Sequence, residues 1–295
     1  MNELRVVLPD GSMQEVVTNL LAKAGLTVTI RNKRTKEGKI AVDWIQSVFF
    51  QRPQEIPLYL NNDHFDVAIV GEDWLANWGF KFPVLLKLPI GRSGNTAVKI
   101  VLAVDENSCW QKIDDLPAGI EIATEYVGLV QRFFSERGQN VRVTPSFGNT
   151  EHKIRYGAGA IVDVTESGQS LRENRLRIIH MIMESNTVVV ANPNSWSNKT
   201  TKFHIDSFTR LVKGAAQASQ YVMLTANTPS RSIARASRII GGLKGPTCSP
   251  LWGVKGWSAL QSIVLRENEQ KIIVELLKIG VTDIVVTRDI PLVMS

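Results

Sequence analysis

The sequence predicts an α/β protein of two lobes, followed by a smaller α+β domain. Three observations point to this fold class. Short apolar strands alternate with amphipathic helices from residue 4 onward, and polar residues follow the strands. The same pattern restarts near residue 105. A third pattern, of four strands and two helices, begins near residue 214.

The composition is that of a globular chain with a large core. The chain has 295 residues, 44% of them hydrophobic, which is enough for two or three domains. Charged residues near its start argue against a signal peptide, and no apolar run reaches membrane-spanning length. Cys109 and Cys248 form no metal or redox motif. We therefore expect a cytoplasmic protein that does not bind a membrane.

The formal net charge of +6 raises the question of a nucleic-acid partner. Lysines and arginines are spread along the chain, without a basic run or an interleaved aromatic stripe, so nucleic acid is not predicted. Anionic small molecules explain the charge equally well, because a mildly positive field favours their capture.

The first lobe opens with a predicted strand over residues 4–8, a turn that contains Gly11, and an amphipathic helix over 13–24. The turn therefore lies at the carboxyl end of the strand, where open α/β sheets bind ligands.

Three more polar residues lie near predicted strand ends of this lobe. Asp73 comes two residues after a buried strand at 66–71, Arg52 lies in a turn before a short helix, and Lys99 opens a further strand. For Arg52, a ligand contact and a structural salt bridge both remain open. Lys99 is a candidate phosphate contact.

The stretch from residue 157 to 177 is the most informative part of the chain. A small, β-branched segment at 158–164 predicts a buried strand of the parallel type, and Asp163 lies near its end. A hydroxyl-rich loop around Gly168 follows, and then a segment of helical spacing at 171–176.

Such a loop suits a phosphate group. Free N–H groups at a helix start, hydroxyl donors and a glycine that permits close approach all favour a dianion. A strand-end carboxylate beside the loop can hold ribose hydroxyls. The alternative is an ordinary turn between strand and helix with a serine cap.

The remaining predicted elements complete the two lobes. Strands at 121–124 and 141–144 flank a helix at 129–137, and a strand at 186–191 carries the chain back to the first lobe. The predicted division is lobe I at 1–104 with 186–213, lobe II at 105–185, and a third domain at 214–295.

The third domain has the element order βαββαβ. Its predicted strands lie at 221–226, 247–251, 259–265 and 284–287, and its helices at 230–240 and 267–279. This order is typical of a ferredoxin-like fold. An RNA-recognition domain shares the order, but the paired aromatic motifs on its central strands are missing here.

Several short motifs occur in the same order as in a known enzyme family. They are LRVVLP at 4–9, QRPQEIP at 51–57, DVAIVGED at 66–73, IATE at 122–125, FGNTE at 147–151, AIVDVTESGQSLREN at 160–174 and GPTCSPL at 245–251. By these motifs the chain resembles the long form of ATP phosphoribosyltransferase, the family that makes the first committed step of histidine biosynthesis.

The resemblance implies a fold and a reaction. The fold is α/β, with a two-lobed, periplasmic-binding-protein-like catalytic unit and a C-terminal ferredoxin-like (ACT-like) α+β regulatory domain. The reaction joins N1 of ATP to C1 of 5-phosphoribosyl 1-diphosphate and releases pyrophosphate with the help of Mg²⁺. Because the attacking ring nitrogen has a free lone pair, the enzyme needs no Ser-His-Asp apparatus.

The resemblance also assigns residues at the catalytic unit. The phosphoribosyl diphosphate contacts would be Asp163, Thr165, Glu166, Ser167, Gly168, Gln169, Ser170 and Leu171. Glu151 and Asp163 would be catalytic, and the ATP contacts would be Gly11, Arg52, Asp73 and Lys99. No residue is expected to be a fixed metal ligand. For Glu151 the alternative is a carboxylate that stabilises a helix start.

The third domain is expected to sense L-histidine. Its Asn227, Thr247 and Ser249 resemble the ligand-contacting part of the long-form family and would satisfy the charged ends of an amino acid. A homo-oligomer, as dimer and hexamer, is implied. The alternative is a purely structural dimerisation module.

Two positions depart from the family pattern. Asp10 replaces a lysine before Gly11, and Gly159 replaces an aspartate. We expect Asp10 to face away from ATP or to be offset by Arg5, Arg52 or Lys99. These departures keep two alternatives open: a weak or regulatory paralogue, and a two-lobed small-ligand binding protein.

Overall fold

The computed structural model describes residues 3–32, 36–88, 90 and 97–288. The chain divides into two compact units, Met1–Ala22 with Leu26–Thr209, and Lys23–Gly25 with Arg210–Ser295. Within the described residues, no helix has both the length and the apolar character that a membrane span requires.

The elements of the first unit are as follows, in chain order: β1 Leu4–Pro9, α1 Gln14–Lys23, β2 Val28–Asn32, β3 Glu37–Ile40, β4 Ile45–Gln51, α2 Ile56–Asn61, β5 Val67–Gly71, α3 Glu72–Trp78, β6 Val84–Leu88, β7 Val98–Asp105, β8 Ile120–Thr124, α4 Val127–Glu136, β9 Val141–Pro145, β10 Ala160–Thr165, α5 Gln169–Glu173, β11 Leu176–Ser185, β12 Thr187–Ala191 and α6 Pro193–Ser197. Helix α7, Lys199–Gln217, contains the division between the two units, after Thr209. The elements of the second unit are β13 Tyr221–Pro229, α8 Ile233–Ile240, β14 Thr247–Pro250, β15 Trp257–Leu265, α9 Glu269–Leu277 and β16 Thr282–Thr287.

Lobe I is built on a seven-stranded sheet of order β2-β3-β4-β1-β5-β12-β6. β1 runs parallel to β4 and β5, so these three strands end at one edge of the sheet. Apart from Arg5, the side chains of β1 and β5 are apolar and almost wholly buried, as expected for parallel strands covered on both faces.

Lobe II is built on a five-stranded sheet of order β11-β7-β10-β8-β9. β8 runs parallel to β9 and β10, while β7 runs antiparallel to β10 and β11. The central strand β10 is therefore parallel to only one of its two neighbours, where the sequence predicted a parallel-type strand.

Several predicted boundaries differ from the structure. The third domain was expected from residue 214, whereas the second unit takes up the chain at Arg210, within α7. Residues 98–104 were expected in lobe I, but β7 pairs with β10 and β11 and so belongs to lobe II. The helix predicted at 171–176 covers only Gln169–Glu173. Arg175 has a φ of +57°, which ends the helical path, and Leu176 begins β11.

One hydrophobic cluster extends through both lobes. It joins buried side chains of the first sheet, such as Val7 and Val188, to side chains of the second, such as Leu102 and Val162. The lobes of this unit therefore share a core.

The second unit is an antiparallel sheet of order β14-β15-β13-β16 with α8 and α9 against one face. Its element order βαββαβ and its sheet order are ferredoxin-like, which confirms the predicted fold. Side chains at even positions of β13 and β15, such as Leu224 and Leu260, face the helices and form the core.

Candidate active site

Two sheet edges, one from each lobe, meet where the chain crosses between the lobes. β11 ends at Ser185 and β12 begins at Thr187, which pairs with the end of β5 at Gly71. A cavity of about 80 Å³ lies at this crossing and is lined by both lobes. Its lining includes Ser12 of lobe I and Val164 of lobe II.

The loop after β10 forms a tight turn before α5. Gly168 has a φ of +75°, a region that favours glycine. Its N–H donates to Thr165 Oγ1 at 2.8 Å, and Arg172 Nη1 donates to the Ser167 carbonyl at 3.0 Å. Ser167 and Gln169 are exposed. The loop thus has a defined backbone and presents hydroxyl and amide groups to solvent.

Glu151 lies against this loop although it is 19 residues away in the sequence. It stands in the first turn of a 3-10 helix, Thr150–Tyr156, as the structural alternative predicted. Ser170 Oγ nevertheless donates to Glu151 Oε1 at 2.7 Å. The two halves of the motif pair, at 147–151 and 160–174, are therefore joined by a direct hydrogen bond.

Asp163, Glu166 and Leu171 differ in what they offer a ligand. Asp163 and Glu166 are half-buried at the end of β10, and Asp163 Oδ1 accepts from the Val164 N–H at 2.7 Å. Leu171 is only 2% exposed and its side chain packs in a core cluster with Ile161. The Leu171 side chain therefore anchors α5, which leaves its backbone as the part that can reach the loop.

Lys99 lies beside the loop rather than in lobe I. It is exposed on β7 and is the register partner of Thr165 on β10. Neighbouring strands place such partners on the same face of the sheet. Lys99 was expected among the ATP contacts of lobe I, but it lies in the sheet of lobe II. Its position favours the phosphoribosyl side of the cleft.

Gly11 and Arg52 lie at the cleft edge of lobe I. Gly11 follows β1 with a φ of +70°, and Arg52 directly follows β4, the parallel neighbour of β1. Arg52 is exposed, and the described residues provide no ion pair to its guanidinium. The salt-bridge alternative for Arg52 is thus not what the structure shows.

Asp10 is offset by a cation, but not by one of those expected. Lys36 Nζ lies 2.9 Å from Asp10 Oδ2. Arg5, an expected partner, instead pairs with Asp66 at 2.8 Å. The ion pair with Lys36 reduces the repulsion that Asp10 would exert on an anionic ligand.

Asp73 lines the cavity between the lobes, but other residues of the chain already hydrogen-bond its carboxylate. It is 5% exposed, its Oδ2 accepts from Tyr126 OH at 2.8 Å, and its Oδ1 accepts from Ser185 Oγ at 2.9 Å. Burial raises the pKa of Asp73, and the two hydroxyl donors oppose that rise. These partners argue against the predicted ATP contact.

Sequence reasoning missed Tyr126, Ser185 and Asn186, which meet the start of α3. Asn186 donates from its backbone and side chain to Glu72 Oε2, at 3.0 and 3.1 Å. For Ser185 and Asn186, the signal in the sequence was their position, because they join two strands that belong to different lobes.

Gly159 has a packing explanation. A Cβ at this position would lie 2.6 Å from Ile120 Cγ1, which is closer than real side chains approach. Gly159 precedes β10, whereas the phosphate-type loop follows it, so roughly 20 Å of strand separates the two. The departure from the family pattern lies away from the cleft edge.

The described residues contain no cluster of three histidine, cysteine or carboxylate side chains that would hold a metal ion by themselves. Mg²⁺ is commonly bound by one or two carboxylates together with substrate phosphates. Asp163 and Glu166 stand at the loop and fit that kind of site.

In the second unit, Asn227, Thr247 and Ser249 share one face. Ala259 of β15 is the register partner of both Asn227 and Ser249, and all three predicted residues lie on the sheet face opposite the helices. Asn227 Nδ2 donates to Asp283 Oδ2 at 2.9 Å. A cavity of about 610 Å³ against α8, α9 and β15 contains none of the three.

Fold and site together define a two-lobed α/β unit of the periplasmic-binding-protein type, with a phosphate-type loop at its cleft edge and a ferredoxin-like domain after it. The chain belongs to the ATP phosphoribosyltransferase family. The family model for ATP phosphoribosyltransferase matches residues 52–214, and the model described as HisG, C-terminal domain, matches residues 218–288.

Similar proteins agree with this membership. An ATP phosphoribosyltransferase of Prosthecochloris aestuarii is 35% identical over 94% of this chain and 93% of the relative. One from Thermodesulfovibrio yellowstonii is 34% identical over 91% of this chain and 90% of the relative. The structure of an ATP phosphoribosyl transferase (HisG:HisZ) complex from Thermotoga maritima matches with a TM-score of 0.60 and 26% identity, over 71% of this chain and 98% of that one.

Proposed function

We propose that this chain is an ATP phosphoribosyltransferase that joins N1 of ATP to C1 of 5-phosphoribosyl 1-diphosphate and releases pyrophosphate, the first step of L-histidine biosynthesis in the cytoplasm. The observation that carries the proposal is the contact between Ser170 and Glu151 at 2.7 Å. It brings both halves of the phosphoribosyl motif to one cleft edge, in a chain with 35% identity to enzymes of this name.

On the phosphoribosyl side, the loop with Ser167, Gly168 and Ser170 receives the 5-phosphate through its N–H and hydroxyl groups. Asp163 holds the ribose hydroxyls at the end of β10. Lys99, beside Thr165 in the sheet register, is placed to compensate negative charge on the leaving diphosphate.

On the ATP side, Gly11 permits a close approach of the backbone, and the exposed Arg52 provides a cation for the triphosphate. Because N1 of adenine attacks with its own lone pair, the chain has to orient the base rather than remove a proton. Glu151 is placed at the loop to help with that orientation.

Mg²⁺ fits the carboxylates at the loop, Asp163 and Glu166, as an ion carried largely by the substrate phosphates. When bound, it would neutralise charge on the diphosphate. The chain's own part is to keep these carboxylates beside the loop.

We propose that the second unit binds L-histidine and inhibits the enzyme as a homo-oligomer, with the hexamer as the inhibited form. The polar groups of Asn227, Thr247 and Ser249 occupy one open sheet face, where an amino acid's charged ends can be satisfied. Open faces of this kind can be covered by a second copy of the chain. Asn227→Leu should then weaken inhibition by histidine, while Gln270→Ala, on the exposed part of α9, should not.

The activity is tested by mixing the protein with ATP, phosphoribosyl diphosphate, Mg²⁺ and pyrophosphatase, and following the ultraviolet absorbance of an N1-substituted adenine. We expect an absorbance change that requires both substrates. No change, with each substrate binding normally, would identify a silent paralogue and overturn the proposal.

A further inference from the structure

Helix α3 of lobe I lies directly against helix α4 of lobe II. The Leu129 N–H, in the first turn of α4, donates to Asn77 Oδ1 of α3 at 3.1 Å. Arg132 donates to the carbonyl oxygens of Asn77, at 2.9 Å, and of Ala76. These are hydrogen bonds between the lobes. The bond from Leu129 caps the amino end of α4, and the bonds from Arg132 cap the carboxyl end of α3.

Gly128 permits this close approach. A Cβ at Gly128 would lie 2.3 Å from the Asn77 carbonyl oxygen, which is backbone and cannot rotate away. Any larger residue would force α4 away from α3. The glycine is therefore needed for the spacing between the helices.

The other end of α3 is tied to lobe II by Asp73. Its carboxylate accepts from Tyr126 OH, directly before α4, and from Ser185 Oγ, at the crossing between the lobes. The Asp73 N–H also donates to Ser185 Oγ, at 3.0 Å. The ring of Trp74 stacks on that of Tyr126 with centroids 4.5 Å apart.

A carboxylate with such partners is costly to bury. Asp73 forms no ion pair within the described part of the chain. Neutral donors compensate its burial: the hydroxyls of Tyr126 and Ser185, and backbone N–H groups such as that of Trp74. A residue needed only for packing would not require a carboxylate here. Asp73 therefore calls for a role that depends on holding two hydroxyls of the opposite lobe.

The same contacts form a wall of the cavity between the lobes. Asp73, Trp74 and Tyr126 line it together with Ser12, beside Gly11, and Val164, on the strand that carries the loop. A change in the α3 to α4 distance would therefore change the distance between the two proposed substrate sites.

We propose that α3 and α4 form an interlobe latch, with Asp73 as its central positioning residue, which sets the spacing between the ATP side and the phosphoribosyl side of the cleft. This inference rests on the proposed function for its effect on turnover. The latch itself is a structural claim that can be tested without turnover.

The first test adds a methyl group between the two helices. Gly128→Ala should separate α4 from α3 without touching either substrate site, so it should lower kcat about 100-fold, because a displacement of about 1 Å has an effect of that size. Binding of ATP alone and of phosphoribosyl diphosphate alone should change less than about 3-fold. Gln131→Ala, an exposed change on the same helix, is the control and should match the wild type.

The second test removes single donors or acceptors. Tyr126→Phe keeps the stacked ring and loses one hydrogen bond to a carboxylate, and kcat should fall about 10-fold. In Asp73→Ala, kcat should fall further. Asp73→Asn should recover part of the loss, because an amide can still accept from Tyr126 OH and can donate to Ser185 Oγ.

The third test measures the contact between α3 and α4 directly, without turnover. Amide hydrogen exchange at Leu129 should be slow in the wild type and fast in Asn77→Ala and Gly128→Ala, because Asn77 Oδ1 is its partner. Fast exchange at Leu129 in the wild type would overturn the latch, whatever the activity. Loss of ATP binding alone in Asp73→Asn would also overturn it, because Asp73 would then be an ATP contact.

Discussion

The two ends of strand β5 carry the same residue type in opposite settings. Asp66 directly precedes the strand and Asp73 follows it by two residues. Asp66 accepts from Arg5 at 2.8 Å and from Ser195 at 2.6 Å, both within lobe I. Asp73 accepts from hydroxyls of Tyr126 and Ser185, both from elements of lobe II.

The two settings affect ionisation in opposite directions. Burial alone would raise the pKa of Asp66, but hydrogen bonds from Arg5 and Ser195 hold that pKa below its ordinary value. Burial raises the pKa of Asp73, and hydroxyl donors offset this only in part. The amino end of the sheet therefore stabilises a charge, whereas the carboxyl end places a carboxylate where it holds the other lobe.

The largest effect on stability is expected at Asp66. Asp66→Ala leaves Arg5 without its partner and should lower the free energy of unfolding by about 2 kcal/mol, less than a fully buried pair because Arg5 is 37% exposed. Urea denaturation measures the loss. Asp43→Ala, an exposed aspartate of the same lobe, should change it by less than about 0.5 kcal/mol. An equal loss in both variants would remove the distinction between the ends of β5.

A smaller effect on the stability of the fold is expected when the pH changes. Its sign should be opposite for Asp66 and Asp73, at the two ends of β5. Asp66 has a lowered pKa, so its contribution is present above 3.8, its ordinary value, and is lost as pH falls through the folded-state pKa. Asp73 has a raised pKa, so ionising it destabilises the fold as pH rises above 3.8.

Thermal unfolding of Asp66→Asn and Asp73→Asn across pH 3 to 7 measures this difference. Relative to the wild type, Asp66→Asn should lose stability as pH rises, and Asp73→Asn should gain it. Parallel pH responses of the two variants would contradict the assignment.

The smallest effect is expected at Lys36. Lys36→Ala leaves Asp10 uncompensated near the ATP side and should raise the KM for ATP about 3-fold, because the pair is partly solvated. The KM for phosphoribosyl diphosphate should not change. Lys39→Ala, an exposed lysine of the same hairpin, is the control. An unchanged KM for ATP in Lys36→Ala would mean that Asp10 faces away from the triphosphate.

Features set by residues close together in the sequence could be predicted, whereas features set by residues far apart in the sequence could not. The loop around Gly168 and the βαββαβ domain were predicted because their turn residues and periodicity are local. The role of Asp73 could not be, because its partners lie 53 and 112 residues away. The placement of β7 was wrong because an apolar strand carries no signal of which sheet it joins.

The departures from the family pattern at Asp10 and Gly159 also depend on residues that are distant in the sequence. In sequence both lie beside motifs, and both raised the possibility of a silent paralogue. In the structure Lys36 compensates Asp10, and Ile120 fills the space where an aspartate would stand at Gly159. Neither fact was visible without the fold, because each depends on a residue from another strand or turn.

The most direct test of the central claim is calorimetric titration of phosphoribosyl diphosphate into Gly168→Val and Asp66→Asn, in the presence of Mg²⁺. Valine is strained at a φ of +75°, so the loop should lose its shape and the affinity should fall at least 100-fold. Asp66→Asn, at the opposite edge, should be less stable but should bind within about 2-fold of the wild type. Unchanged affinity in Gly168→Val, or an equal loss in folded Asp66→Asn, would contradict a phosphoribosyl site at the carboxyl edge of the sheets.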